Sequence, residues 1–170
     1  MNINKIKATG KKIKFEIFEK FTEIKEGHPG SVLSIFDIVN FLYLGKFIKC
    51  SRNLKQNDHL IISKGHAGSV QYPYLIRNFI LGRKEWKNWK RGNNSIFKIF
   101  PNINIPGIDV TSGSLGHGLG IASGLSLAYK NQKIKKNIWT IISEGELYEG
   151  SIWEALIFIK HYKLDNIKII

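Results

Sequence analysis

One cysteine, one methionine and four prolines in 170 residues leave several architectures without material. The single thiol, Cys50, excludes an internal disulfide and any multi-thiolate metal site, and fits a half-buried side chain in a reducing, cytoplasmic setting. Long apolar runs are also missing. The most apolar window, "SVLSIFDIVNFLYLGKFI" from Ser31, is broken by Asp37, Asn40 and Lys46, so it predicts a buried or amphipathic helix and no membrane span. The start, "MNINKIKATGKKIKF", lacks the apolar stretch of a secretory signal. No period of 20 to 50 residues recurs, which excludes solenoids. Acids are scarce as well, 13 against 26 Lys and Arg, for a net charge of +13.

That charge raises the question of nucleic acid, since clustered cations gain affinity by releasing counterions from phosphates. Lys outnumbers Arg 22 to 4, a bias that AT-rich coding spreads over a whole chain. The best local candidate is "RKEWKNWKRGNN", residues 83–94, where tryptophans alternate with cations. Trp86 and Trp89 stand three apart, the spacing of one helical face, which predicts packed rings and solvated lysines. We therefore expect no nucleic-acid partner and no membrane partner.

What is present reads as one globular domain of alternating elements. Residues 13–25 predict a helix ending near Gly27, because Pro29 disfavours helix at His28. Ser31 is the expected N-cap of a long apolar helix to about Lys46. "HLIIS" from His59 predicts a buried strand that ends at "KGHAGS", followed by a second apolar helix, "VQYPYLIRNFIL", with Pro73 early in it. The end of the chain reads strand, turn, helix, strand: "IWTII" from Ile138, an acidic turn, "SIWEALIFIKHY", and "NIKII" from Asn166. Such alternation predicts an α/β fold, three-layer α/β/α with a mostly parallel sheet, whose ligands bind beyond the carboxyl ends of the strands.

Two segments stand at those ends. "TSGSLGHGLGIASG", residues 111–124, holds five glycines and opens a helix. It suits either close backbone approach to an anion or tight helix-on-sheet packing. The acidic turn carries Glu144, Glu146 and Glu149 around Gly145 and Gly150. Carboxylates there suit a hard cation such as Mg²⁺ bridging to phosphates, and equally the N-terminus of the helix that follows.

Four stretches in order, "GHPGS" at Gly27, "SKGHA" at Ser63, "PGIDVTSGSLGHGLG" at Pro106 and "EGELYEGSIWEA" at Glu144 with "KLDNI" after it, resemble the N-terminal portion of transketolase. The resemblance covers about Gly27 to Ile170. It implies a thiamine-diphosphate-binding fold incomplete at its C-terminus, with thiamine diphosphate and Mg²⁺ or another divalent cation as cofactors. The implied reaction moves a two-carbon ketol unit from a ketose phosphate to an aldose phosphate, as in the pentose phosphate pathway. By the same resemblance, His28 and His66 are the catalytic residues, and His66, Gly113, Leu115, Glu144, Gly145 and Glu146 bind the cofactor. Glu144 is the metal ligand, and Glu149 lies at the partner interface. The implied partner is a separate C-terminal subunit carrying the pyrimidine-binding domain, in a hetero-oligomer. "SLGHG" and the serine before the acidic turn also resemble transketolase-like pairs acting on modified sugars.

Departures from the pattern temper this. The usual "GDG" is "SEG", with Ser143 for the first glycine and Glu144 for the metal-binding aspartate, one methylene longer. Phe100 in "IFPNINIPG" stands where many relatives carry a histidine that contacts the donor. The second metal ligand, an asparagine, is expected just past Ile170, and Asn166 comes too early to be it. The chain is thus expected to be a single domain, 1–170, cut before that ligand and inactive without its partner. The alternatives are a catalytically silent relative, a 2-oxo acid decarboxylating component sharing the acidic turn, and the basic nucleic-acid binder.

Overall fold

In the computed structural model, residues 2–89 and 95–170 are described. The chain begins with α1 (Ile3–Ile24), ten residues earlier than the pattern predicts. The reason is a cap: the Asn2 side chain accepts a hydrogen bond from the Lys5 amide at 3.0 Å. Ile6, Gly10, Ile13, Ile17, Phe21 and Ile24 then form one buried stripe at helical spacing. Lys25 ends the helix in the left-handed region.

The next helix, α2 (Pro29–Leu44), opens on proline, whose missing N–H costs nothing in a first turn. The expected N-cap, Ser31, is inside that turn, and His28 holds the cap position instead. His28 makes no side-chain cap bond, so its ring is free to face outward.

Strand β1 (His59–Ile62) follows, then a 3₁₀ turn, Gly65–Gln71, that leads into α3 (Tyr72–Arg77). This helix is far shorter than the twelve-residue run that the sequence pattern predicts, because Asn78 caps it and Phe79 turns left-handed. In α4 (Arg83–Asn88) and just beyond it, Trp86 and Trp89 pack on Phe97 and on each other at centroid distances of 5.6 to 6.0 Å. Trp89 is buried in the core and Trp86 packs half-buried against it, the packing their spacing predicts; residues 90–94 of that basic segment lie outside the described residues.

The remaining elements are α5 (Gly118–Asn131), β2 (Ile138–Ile141), α6 (Gly150–His161) and β3 (Ile167–Ile169). The strands pair in the order β1, β2, β3, all parallel, with His59 opposite Ile138 and Ile138 opposite Ile167. Alternation along β1 divides the core: Leu60 and Ile62 pack with α1 and α2, while Ile61 packs with Ala122 of α5. Helices thus cover both faces, the expected three-layer arrangement. Among the described residues no helix is long and apolar enough to cross a membrane.

Candidate functional site

Parallel strands deliver their C-terminal ends to one edge, and both β1 and β2 end there in a serine followed by charge. Ser63, fully buried, extends the ladder by donating its amide to the Ile141 carbonyl at 2.9 Å. Its hydroxyl donates to Oε1 of Glu146 and accepts from the Gly118 amide at 3.1 Å. One small side chain therefore joins β1, the acidic turn and the start of α5.

Glu146 is the centre of this junction. Its side chain is fully buried, and Oε1 also accepts from the Gly116 amide at 2.9 Å. Its Oε2 accepts from the Ser143 amide at 2.8 Å and the Ser143 hydroxyl at 3.0 Å, a capping box that shapes the 3₁₀ turn Glu144–Tyr148. A carboxylate has about four acceptor sites, and these four bonds fill them. The Glu146 carboxylate thus ties the scaffold together with all its acceptor sites in use, and what the residue can offer a cofactor is its place in the turn.

The glycine loop is built both ways that its composition allows. A methyl group on Gly118 would lie 2.5 Å from the Ser63 hydroxyl, and Gly116 adopts φ +82° against Ser151 and Glu149, so these two serve packing. Ser151 locks the same turn by donating to the Gly116 carbonyl at 2.9 Å. Gly113 and Gly145, by contrast, are exposed. A methyl group on Gly145 would meet nothing within 4 Å, and one on Gly113 only Phe100, at 3.8 Å. Backbone left open in this way can be approached closely by a ligand.

Gly65 brings the histidine turn against this loop, since a methyl there would lie 2.2 Å from the Ser112 carbonyl oxygen. His66 follows, half-buried, with its ring centroid 5.5 Å from that of His28 at the start of α2. Phe100 stands edge-on to His28 at 5.6 Å and is 45% exposed. The two predicted catalytic histidines and the departing phenylalanine thus share one cluster. Burial, with the charges of His28 and Lys64, pushes the His66 pKa down; Glu146 opposes this weakly. The neutral imidazole is favoured.

Of the other expected residues, Glu144 and Glu149 are exposed, and Leu115 is 37% exposed beside His117, whose Nδ1 lies 3.0 Å from the Leu115 carbonyl oxygen. Among the described residues, no three His, Cys, Asp or Glu side chains gather as a ready-made metal cage. Glu144 can offer one carboxylate. That suffices for Mg²⁺, which is commonly held by one or two carboxylates with phosphate and water completing its octahedron. Open glycine backbone, an exposed carboxylate and a neutral histidine are a donor set that fits a magnesium-bound diphosphate ester.

The sequence reading gave no role to Ser63 or Lys64, and noted Ser143 only as a departure from the pattern. The available signal was position: each directly follows, or lies within two residues of, a strand's C-terminal end. It also missed the anchor at the other end of β1. There His59 Nδ1 lies 2.7 Å from Asp109 Oδ1 and its Nε2 lies 2.6 Å from the Tyr129 hydroxyl. Asp109 Oδ2 accepts the Leu60 amide at 3.1 Å. This ties the root of the glycine loop to β1 and α5.

Known proteins share both sequence and shape with this chain. Residues 6–170 match the family model described as "Transketolase, thiamine diphosphate binding domain". An apulose-4-phosphate transketolase subunit of Phocaeicola vulgatus is 31% identical over 169 residues, covering 98% of this chain and 60% of that protein. The protein of the same name from Actinobacillus succinogenes is 35% identical over 147 residues, covering 85% and 53%. The crystal structure of transketolase from Campylobacter jejuni superposes with a TM-score of 0.88 at 26% identity, over 99% of this chain and 28% of that one. The chain therefore spans only about half to 60% of these two curated relatives.

Proposed function

The chain belongs to the transketolase thiamine diphosphate binding domain family, and from that membership we propose that it is the diphosphate-holding, N-terminal subunit of a split transketolase. Residues 1–170 act as one such domain, and transfer of a two-carbon ketol unit between phosphorylated sugars requires a second subunit that supplies the pyrimidine-binding domain. The observation that carries this reading is the meeting of the His28 and His66 rings, 5.5 Å apart, with open glycine backbone at the strand ends. Two relatives are named as subunits of apulose-4-phosphate transketolases, which supports a modified-sugar phosphate as donor and a split assembly. A cytoplasmic location belongs to the same proposal, in keeping with the free thiol of Cys50.

Bound thiamine diphosphate would supply the electron sink for breaking and forming the carbon–carbon bond. This chain's residues bind, orient and move protons. Glu144 would hold the divalent cation, the Gly113 and Gly145 backbone would leave room for the cofactor, and Leu115 would offer it an apolar surface. His66, kept neutral by burial, can accept a proton from a substrate hydroxyl, and exposed His28 can exchange it with solvent. Glu146 positions the turn that presents Glu144. The partner's surface is sought along α6. There Trp153 and Ile157 are 56% and 71% exposed, and Tyr148 at the end of the preceding 3₁₀ turn, next to Glu149, is 93% exposed.

Co-expressing the chain with its partner and titrating with thiamine diphosphate and Mg²⁺ tests the proposal. Saturable, metal-dependent binding with ketol transfer from a ketose phosphate is expected. Decarboxylation of pyruvate in place of ketol transfer would overturn it, as would indifference to the cofactor.

A further inference from the structure

A cavity of about 210 Å³ lies beside the first residues of β1, at the opposite end of that strand from the His66 turn. Ile48, Leu60, Leu75, Ile105 and Ile108 in its wall are all buried. An apolar cavity of about 150 Å³ can hold benzene, so this one has room for a ring with a short side chain. Each polar side chain of the wall already has a partner. Asn57 bonds Ser51 through both ends of its amide, and Asp58 accepts the Lys49 and Asn137 amides at 2.9 and 3.0 Å. His59 and Asp109 engage each other, Tyr129 and the Leu60 amide, while the Tyr43 hydroxyl donates to Gln71 at 3.4 Å. Cys50 adds a free thiol. With no bonding group set aside for a polar occupant, the space selects an apolar one.

The cavity opens outward. It shares Leu54, Ile80 and Pro106 with a wider groove of about 770 Å³, to which Arg52, Phe79 and Arg83 also contribute. Arg83 is paired with Glu16 at 3.3 Å, whereas exposed Arg52 has no ion pair among the described residues. Phe79 is 79% exposed at φ +59°, a left-handed position after α3 where glycine is the usual occupant and a side chain costs backbone energy. An aromatic ring thus stands in the groove in spite of that cost. Charge divides the two spaces: Asp58 and Asp109 put negative charge in the cavity wall, and Arg52 leaves positive charge in the groove. An anionic group is therefore repelled from the one and attracted to the other.

We propose that the cavity and groove form a second ligand site, for a small carboxylic acid with an aromatic or branched apolar body. The body fills the cavity, and the carboxylate meets Arg52, whose forked N–H donors match its two oxygens. Segment 103–109 of the wall runs on into the glycine loop, so an occupant would steady that loop from the far end of β1. The site shares no residue with the histidine and glycine cluster and stands independently of the transketolase reading.

The test is calorimetric titration of the full chain with 3-phenylpropanoate, and with 3-phenylpropanol and 3-phenylpropylamine as its neutral and cationic counterparts. Saturable binding of the acid is expected, with the alcohol and the amine about fivefold weaker, as suits one ion pair near the surface. Arg52→Met should bring the acid down to the level of the alcohol. Leu54→Trp narrows the mouth that cavity and groove share, and should weaken acid and alcohol alike. Both positions are exposed, and thermal unfolding verifies that the variants fold. In the unaltered chain, saturating acid should slow alkylation of Cys50 by iodoacetamide several-fold, because the thiol lines the cavity. No saturable binding of the acid at millimolar concentration overturns the inference. So does an amine or alcohol that binds as tightly as the acid, acid affinity unchanged in both variants, or a Cys50 alkylation rate that saturating acid leaves unaltered.

Discussion

Replacing Glu146 by glutamine separates scaffold from ligand chemistry at the acidic turn. The side chain keeps its shape, but one acceptor oxygen becomes an NH₂ group. Whichever way the amide is turned, that group faces two donors: the Ser63 hydroxyl with the Gly116 amide, or the Ser143 amide with its hydroxyl. The hydroxyls can rotate to accept, whereas the backbone amide cannot, so one fully enclosed N–H loses its partner. An unsatisfied buried donor costs about 1–3 kcal/mol, and two charge-assisted bonds become neutral ones, so the total is about 3 kcal/mol. For a domain of this length that is a fall in Tm of about 6–12 °C.

The comparison variant is Glu144→Gln two residues away. Glu144 is exposed, so its replacement is expected to change stability by no more than about 0.5 kcal/mol. It should nevertheless weaken Mg²⁺-dependent binding of thiamine diphosphate. Differential scanning calorimetry and cofactor titration on the two variants give a crossed pattern: one loses stability, the other loses affinity. Equal Tm values for wild type and Glu146→Gln would refute the assignment of Glu146 as the junction of β1, the turn and the glycine loop.

Because burial lowers the His66 pKa, the unfolded chain binds a proton near its ordinary value of about 6.5 while the native ring does not. Stability contributed by His66 is therefore present above about pH 6.5 and declines as pH falls through and below it; His66→Gln should flatten that decline in urea unfolding measured between pH 7.5 and 5.5. Cys50, its pKa pushed up to about 11 by burial and by Asp109, is expected to react with iodoacetamide at pH 8 far more slowly than glutathione does. Equal rates would contradict the burial. Asp109→Asn keeps the Leu60 amide on its oxygen only by turning its NH₂ to His59 Nδ1, which forces the tautomer that donates from Nε2 to Tyr129 and replaces charge-assisted bonds by neutral ones, at an expected cost of about 1 kcal/mol. Hydrogen exchange should then accelerate in residues 110–117 before it does in β2.

Hydrophobic pattern made the three strands and the apolar body of α2, α5 and α6 legible, because each buried run is closed by glycine, proline or a polar cluster. It failed where a single hydrogen bond decides an end. α1 starts at Ile3 because Asn2 caps it, and no apolar period marks that turn. Ser31 has the chemistry of an N-cap, yet Pro29 already fits the first helical position, and so His28 is left with a free ring. At the site, the residues that resemblance named are exposed, except His66, which is half-buried, and Glu146, which is fully buried. Ser63 and Ser143, to which it gave no binding role, owe theirs to neighbours brought together at the strand ends, and separation in sequence hides those of Ser63.

Glu146 shows why residue type alone misleads at a strand-end turn. Three carboxylates, Glu144, Glu146 and Glu149, have the same charge and lie within six positions, so composition assigns them one chemistry. Their geometry divides it. The capping box turns Glu146 inward, and its fixed position leaves Glu144 on the outer side of the same 3₁₀ turn, in solvent. Glu149, at the start of α6, rests against Gly116, whose left-handed backbone leaves room for it. Since Gly116 is itself held by Glu146, displacement of that one buried carboxylate would move the outward acid, the glycine loop and the flank of α6 together. The proposed metal ligand and the proposed partner surface therefore depend on one residue, whose carbonyl also accepts the Glu149 amide at 3.0 Å.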